Sequence, residues 1–96
     1  MTINKIKDGN ALTLKIEGRL ETTTAPDLEK VIKEELDGVE NLTFDFSGVD
    51  YISSAGLRVL LSAQKTMKNA MKVTGANEIV TEIFDITGFS DILNIE

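Results

Sequence analysis

The chain has 96 residues, 42% of them hydrophobic with few aromatics, and a formal net charge of −6. That length allows a single domain over residues 1–96, and the acidic balance argues against nucleic acid or an anionic membrane as partner. Cysteine and histidine are both absent, which excludes disulfides, thiolate metal sites, the usual general base and every Ser-His triad.

Taken in chain order, Ile3 to Lys7, the turn Asp8-Gly9-Asn10 and Leu12 to Glu17 predict a β-hairpin. Thr24-Ala25-Pro26-Asp27 opens a helix, with Thr24 as N-cap, Asp27 three residues on and Pro26 in the first turn, where its missing N–H costs nothing. Leu28, Val31, Ile32 and Leu36 keep helical spacing until Gly38 stops it. Leu42 to Phe46 predicts a strand that breaks at the glycine turn Ser47-Gly48, and Ser53-Ser54 begins a helix to about Lys68. Met71 to Thr74 predicts another strand. Asn77 caps a helix carrying Ile79, Val80, Ile83 and Phe84, with Gly88 as its stop. The tail from Phe89 is too short to assign.

Strands alternating with helices imply parallel crossovers after the antiparallel hairpin. Leu12, Leu14 and Ile16 share one strand face while Thr13, Lys15 and Glu17 share the other. Leu42, Phe44 and Phe46 alternate in the same way with Thr43 and Asp45. Strands covered on both faces would be apolar throughout. The expected fold is therefore an α/β domain with a small mixed sheet, its helices mainly on one face and its strand order simple and progressive.

Loops that follow parallel strands gather at the sheet's carboxyl edge. Gly18 to Thr24, Ser47 to Ser54 and Gly75-Ala76-Asn77 are expected to meet there, offering hydroxyls, Arg19, Glu21 and Asp50. A rim of this kind suits partner docking better than enclosure of a substrate, and no cofactor is expected. Ser53 and Ser54 fall where the helix starts, and one of them is accounted for as a cap. A hydroxyl at that point also faces the free N–H groups and positive dipole end that favour phosphate.

The run Asp45-Phe46-Ser47-Gly48-Val49-Asp50-Tyr51-Ile52-Ser53-Ser54-Ala55-Gly56-Leu57 resembles the signature of the STAS domain, the anti-sigma factor antagonist family. Gly18 to Pro26 resembles the family's loop into the first helix, with Glu21 where Asp is common. Ile83 to Phe89 resembles its closing helix. The resemblance implies a protein that binds an anti-sigma factor with serine kinase activity and so releases a sigma factor. It also implies phosphorylation at Ser54, with Ser53 as fallback acceptor, reversed by a serine phosphatase. Ser53 stands where the sporulation and stress-response antagonists carry Asp. The implied partner-binding residues are Glu21, Thr22, Thr23, Asp50, Ser53, Ser54, Gly56, Leu57 and Arg58, with Arg58 one helical turn beyond Ser54.

A second reading keeps the domain as an interaction module elsewhere, in a stress-signalling assembly or as an accessory subunit of lipid transport. An enzymatic reading lacks a nucleophile elbow and a histidine to activate either serine. Asp45 could suggest a phospho-accepting site, but no acidic pair follows the first strand to hold the magnesium ion it would need. With no apolar run of membrane-spanning length and no signal-peptide core in Met1 to Asn10, the expected location is the cytoplasm.

Overall fold

A computed structural model describes residues 1–96. The elements run β1 (Thr2–Asp8), β2 (Ala11–Leu20), α1 (Ala25–Glu35), β3 (Asn41–Ile52), α2 (Ser54–Met67), β4 (Met71–Thr74) and α3 (Glu78–Thr87), with short 3-10 turns at Lys68–Ala70 and Phe89–Asp91. The strands lie side by side in the order β1-β2-β3-β4. The pairs β2–β3 and β3–β4 are parallel, and β1 is the antiparallel edge. This is the small mixed sheet that the alternation of elements predicts.

The two strand faces divide as the pattern requires. Leu12, Leu14, Ile16, Leu42, Phe44 and Phe46 are all buried. They pack under the helices with Leu28 of α1, Leu60 of α2 and Phe84 of α3, whose ring stacks on Phe46 with centroids 6.3 Å apart. Thr13, Lys15, Thr43, Asp45, Lys72 and Thr74 form the reverse face and are only half-buried. No polar or charged residue is buried in the domain, so the core stabilises by apolar burial alone.

β1 contributes little to this core. On its helix side, Lys5 and Lys7 reach across to Glu35 at the end of α1, at 3.4 and 3.0 Å. Those two lysines, Lys7 foremost, hold the Glu35 carboxyl below the usual carboxylate range.

The strands are longer than the sequence pattern predicts. β3 does not end at a glycine turn: it continues through Ile52, and Gly18 to Leu20 is strand, not loop. The cause is a pair of β-bulges. Lys15 faces Asp45 but Glu17 faces Gly48, and Gly18 faces Val49 but Arg19 faces Tyr51, so β3 gains one residue at each step. Its buried residues accordingly fall at Phe46, Val49 and Ile52, every third position. A period of two interrupted in this way reads as a loop. Gly48 is required by the close approach of the strands there, since a Cβ on it would lie 2.7 Å from Glu17 Cγ.

The tail is also ordered. Leu93 is buried, and Ile95 bridges β4 at Val73 in parallel. The Val73 N–H donates to Asn94 O and the Glu96 N–H donates to Val73 O, both at 2.9 Å.

Candidate functional site

β4 pairs with β3 only from Leu42 to Asp45. Beyond that point β3 is partnered by β2 alone, so Glu17–Leu20 and Gly48–Ile52 form a two-stranded arm past the end of β4. The three segments expected at one rim therefore meet in pairs along the arm and not at one point. Glu21–Thr24 and Ser53-Ser54 sit together at the tip of the arm, whereas Gly75 packs at Ser47 and Asn77 Nδ2 donates to Val49 O at 3.1 Å, farther back.

The turn after β2 is closed by its own threonine. Thr24 stands at the N-cap position of α1, but its hydroxyl caps nothing in the helix. It accepts from the Glu21 N–H at 2.9 Å and donates to Arg19 O at 2.7 Å. That corrects the expected cap with Asp27: the hydroxyl ties the loop instead, and leaves Thr22 and Thr23 exposed at its tip. Arg19 bonds Glu21 through Nε at 2.9 Å, and its guanidinium lies 4.7 Å from the Tyr51 ring centroid. The hydrogen bond to Glu21 raises the Arg19 pKa further. Exposed Arg19 and half-buried Glu21 and Tyr51 thus form one cluster across the arm, and Asp50 is exposed beside it at the second bulge.

The start of α2 is fixed by packing. The Ser53 N–H donates to Leu20 O at 2.9 Å, and Ser53 Oγ accepts from the Gly56 N–H at 3.4 Å, so Ser53 is the cap. Ser54 is the first helical residue, and it is exposed. At Gly56 a Cβ would meet Leu20 Cγ at 2.7 Å and Ile52 Cγ1 at 2.8 Å, so the helix can seat on the strand ends only if this residue has no side chain. Gly56 and Leu57 are both buried. They lie beneath Ser54 and Arg58, which are exposed. Thr22, Pro26 and Glu29 on one side and Ala55 and Arg58 on the other line a shallow groove of about 260 Å³ between α1 and α2.

The same seating has an electrostatic consequence. Gly56 is the third helical residue, where a glutamate often completes a capping box. No acid can enter there, and the first turn of α2 has none, although α1 carries Asp27 and α3 carries Glu78 in theirs. The positive end of the α2 dipole is left uncompensated beside the Ser54 hydroxyl.

Asp45 lies away from this tip. Its carboxylate accepts from the Ser47 N–H at 3.0 Å, a bond that holds its pKa below the usual range. The group is committed to the first bulge. No cluster of three or more Asp, Glu, His or Cys residues is arranged to hold a metal ion.

Sequence reasoning overlooked Tyr51. Its partnership with Arg19 depends on the second bulge, and an unbroken alternation gives no sign of that pairing.

The family model for the STAS domain matches residues 2–96. The chain is 26% identical over 99 residues to an anti-sigma-B factor antagonist of Staphylococcus epidermidis, covering 99% of this chain and 92% of the relative. An anti-sigma factor antagonist from Mycobacterium paratuberculosis superposes with a TM-score of 0.87 at 21% identity, over 98% of this chain and 83% of that one. The anti-sigma factor antagonist SpoIIAA in its unphosphorylated form superposes with a TM-score of 0.83 at 11% identity, over 99% of this chain and 88% of its own. The phosphorylated form of the Bacillus protein gives a TM-score of 0.75 at 10% identity, over 99% and 91%.

Proposed function

The chain belongs to the STAS domain family, and we propose that it acts as an anti-sigma factor antagonist whose switch is the Ser54 hydroxyl. The observation that carries the switch is the pairing of an exposed serine with the one α-helix whose first turn lacks an acid.

In the unmodified state the tip of the arm, with Thr22, Thr23, Ser54 and Arg58, docks onto an anti-sigma factor and frees its sigma factor. The Ser54 hydroxyl then attacks the γ-phosphoryl group of ATP held by the anti-sigma factor's kinase site. An Oγ–P bond forms, the bond to ADP breaks, and the hydroxyl proton passes to a base on the kinase. The phosphate adds about −1.5 to −2 charges at the helix start. The free N–H groups of α2 accommodate that charge, and Arg58 lies one turn on to receive it. The docking partner meets a bulky dianion where it met a small hydroxyl, and the complex separates. A serine phosphatase hydrolyses the ester and restores docking. The domain itself catalyses nothing in this cycle. No helix is long and apolar enough to cross a membrane, and the cycle needs none.

The test is phosphorylation by the cognate kinase with ATP, read by intact mass and site mapping. One phosphate on Ser54 is expected, and labelling confined to Ser53 would overturn the assignment. Ser54→Ala is expected to bind the anti-sigma factor persistently. If the phosphate costs about 3 kcal/mol at the interface, phosphorylation lowers affinity roughly a hundredfold, with Ser54→Asp showing part of that loss. Equal affinity for Ser54→Ala, Ser54→Asp and the phosphorylated protein would reduce Ser54 to an ordinary surface residue.

A further inference from the structure

The acidity of this chain is concentrated at its C-terminal end. From Val73 onward there is no lysine or arginine, while Glu78, Glu82, Asp85, Asp91 and Glu96 are all acidic. Glu96 is paired with Lys72 at 3.7 Å. Glu78, Glu82, Asp85 and Asp91 form no ion pair, and all four are exposed.

The same segment exposes apolar surface. Ile79 is 57%, Ile86 77% and Ile92 45% exposed, among the few large hydrophobic residues left in water. Ile79 and Ile86 are two helical turns apart on α3, with half-buried Ile83 between them, so they form one ridge. Glu78, Glu82 and Asp85 stand along one flank of that ridge and, with Ala76, Ile79 and Thr81, line a groove beside the helix. The other flank turns into the core at Val80 and Phe84. An apolar ridge with a wall of one sign is the complement of an amphipathic helix with cations beside its apolar stripe.

We propose that the outward face of α3 is a second docking surface, shaped for a basic amphipathic helix of another protein. Such a helix seats its leucine- or isoleucine-type side chains on Ile79, Ile83 and Ile86 and turns its lysines or arginines to Glu78, Glu82 and Asp85. A second copy of this chain fits less well, because two such faces brought together would set acid against acid. The surface involves neither Ser54 nor the groove between α1 and α2, so it is available in either state of the proposed switch.

The probe is a synthetic helical peptide of about 14 residues, with leucines at i, i+3 and i+7 and lysines beside them. It is titrated into the isotope-labelled full-length chain and followed by amide chemical shifts. The expected changes concentrate on residues 76–92. Ile86→Ser lowers affinity about tenfold by removing the exposed anchor. Glu82→Lys lowers it about fivefold at low salt, and added salt narrows that difference. Because both side chains are exposed, circular dichroism should show both variants folded as the parent. Ser54→Asp leaves peptide affinity unchanged, which separates this proposal from the phosphorylation cycle. Shifts scattered over the whole acidic surface, or affinity indifferent to Ile86→Ser, would mean mere electrostatic adsorption and overturn it. So would sedimentation showing a dimer that Ile86→Ser dissociates, since the occupant would then be a second copy.

Discussion

The starts of α2 and α3 differ in what they leave unfinished. Both helices begin after a parallel strand and both have a polar cap. The α3 cap is tied on two sides: Asn77 accepts from the Val80 N–H at 2.8 Å, donates to Val49 O at 3.1 Å, and is followed by Glu78 at the positive helix end. At α2, Ser53 accepts at 3.4 Å, no acid follows, and Ser54 is exposed. One helix start is tied to β3 through its cap side chain and answers its own dipole with an acid. The other is secured by packing at Gly56, which leaves its electrostatics open to an incoming anion. The difference separates a helix start with an acid in its first turn from one that leaves an exposed hydroxyl and no acid there.

Four measurements test this contrast. Gly56→Ala should be the most damaging, because its methyl would overlap Leu20 and Ile52. A loss of about 2 kcal/mol is expected, or about 10 °C in thermal midpoint, and an unchanged midpoint would show that the seat is not tight. Next comes the comparison of caps. Asn77→Ala should cost about 1.5 kcal/mol and Ser53→Ala about 0.5 kcal/mol in urea unfolding, and equal costs would erase the distinction between the two helix starts. A smaller effect of opposite sign is expected from Ser54→Asp, which should gain about 0.5 kcal/mol by answering the helix dipole. Ile79→Asp, placed beside Glu78, should gain nothing.

The smallest effect concerns pH. The folded-state pKa of Asp45 is depressed by the Ser47 N–H. Its contribution is therefore present above the unfolded carboxylate range, near pH 4, and is lost as pH falls through the folded value. The partly exposed group should contribute only a few tenths of a kcal/mol. Asp45→Asn should flatten that part of the stability curve below about pH 4.

Much of this was legible in the sequence, for reasons specific to each element. α3 was marked at both ends by Asn77 and Gly88, and Gly88 does adopt the left-handed conformation at φ 81°. The one-sided sheet was visible in Leu12, Leu14 and Ile16 against Thr13 and Lys15, because local alternation reports directly on which face is covered. The arm was not visible. Each bulge moves the phase of β3 by one residue, and the residues opposite it on β2 are far away in sequence. Thr24 was misread for a related reason: its hydroxyl has two possible uses within five residues, and only the path of the loop selects between them. The serines were placed correctly at a helix start. Which one caps and which one is exposed depended on how Gly56 seats against Leu20, a contact that no local pattern encodes.

The segment from Asn94 to Glu96 changes how this molecule meets its own kind. By bonding both the N–H and the C=O of Val73, it occupies the outer edge of β4. The edge left open is β1, where Lys5 and Lys7 hold charge against an incoming strand. Growth of a sheet from molecule to molecule needs a donor edge and an acceptor edge on every unit. A unit whose own tail already holds the β4 edge at Val73 offers an incoming strand less of that edge to pair with.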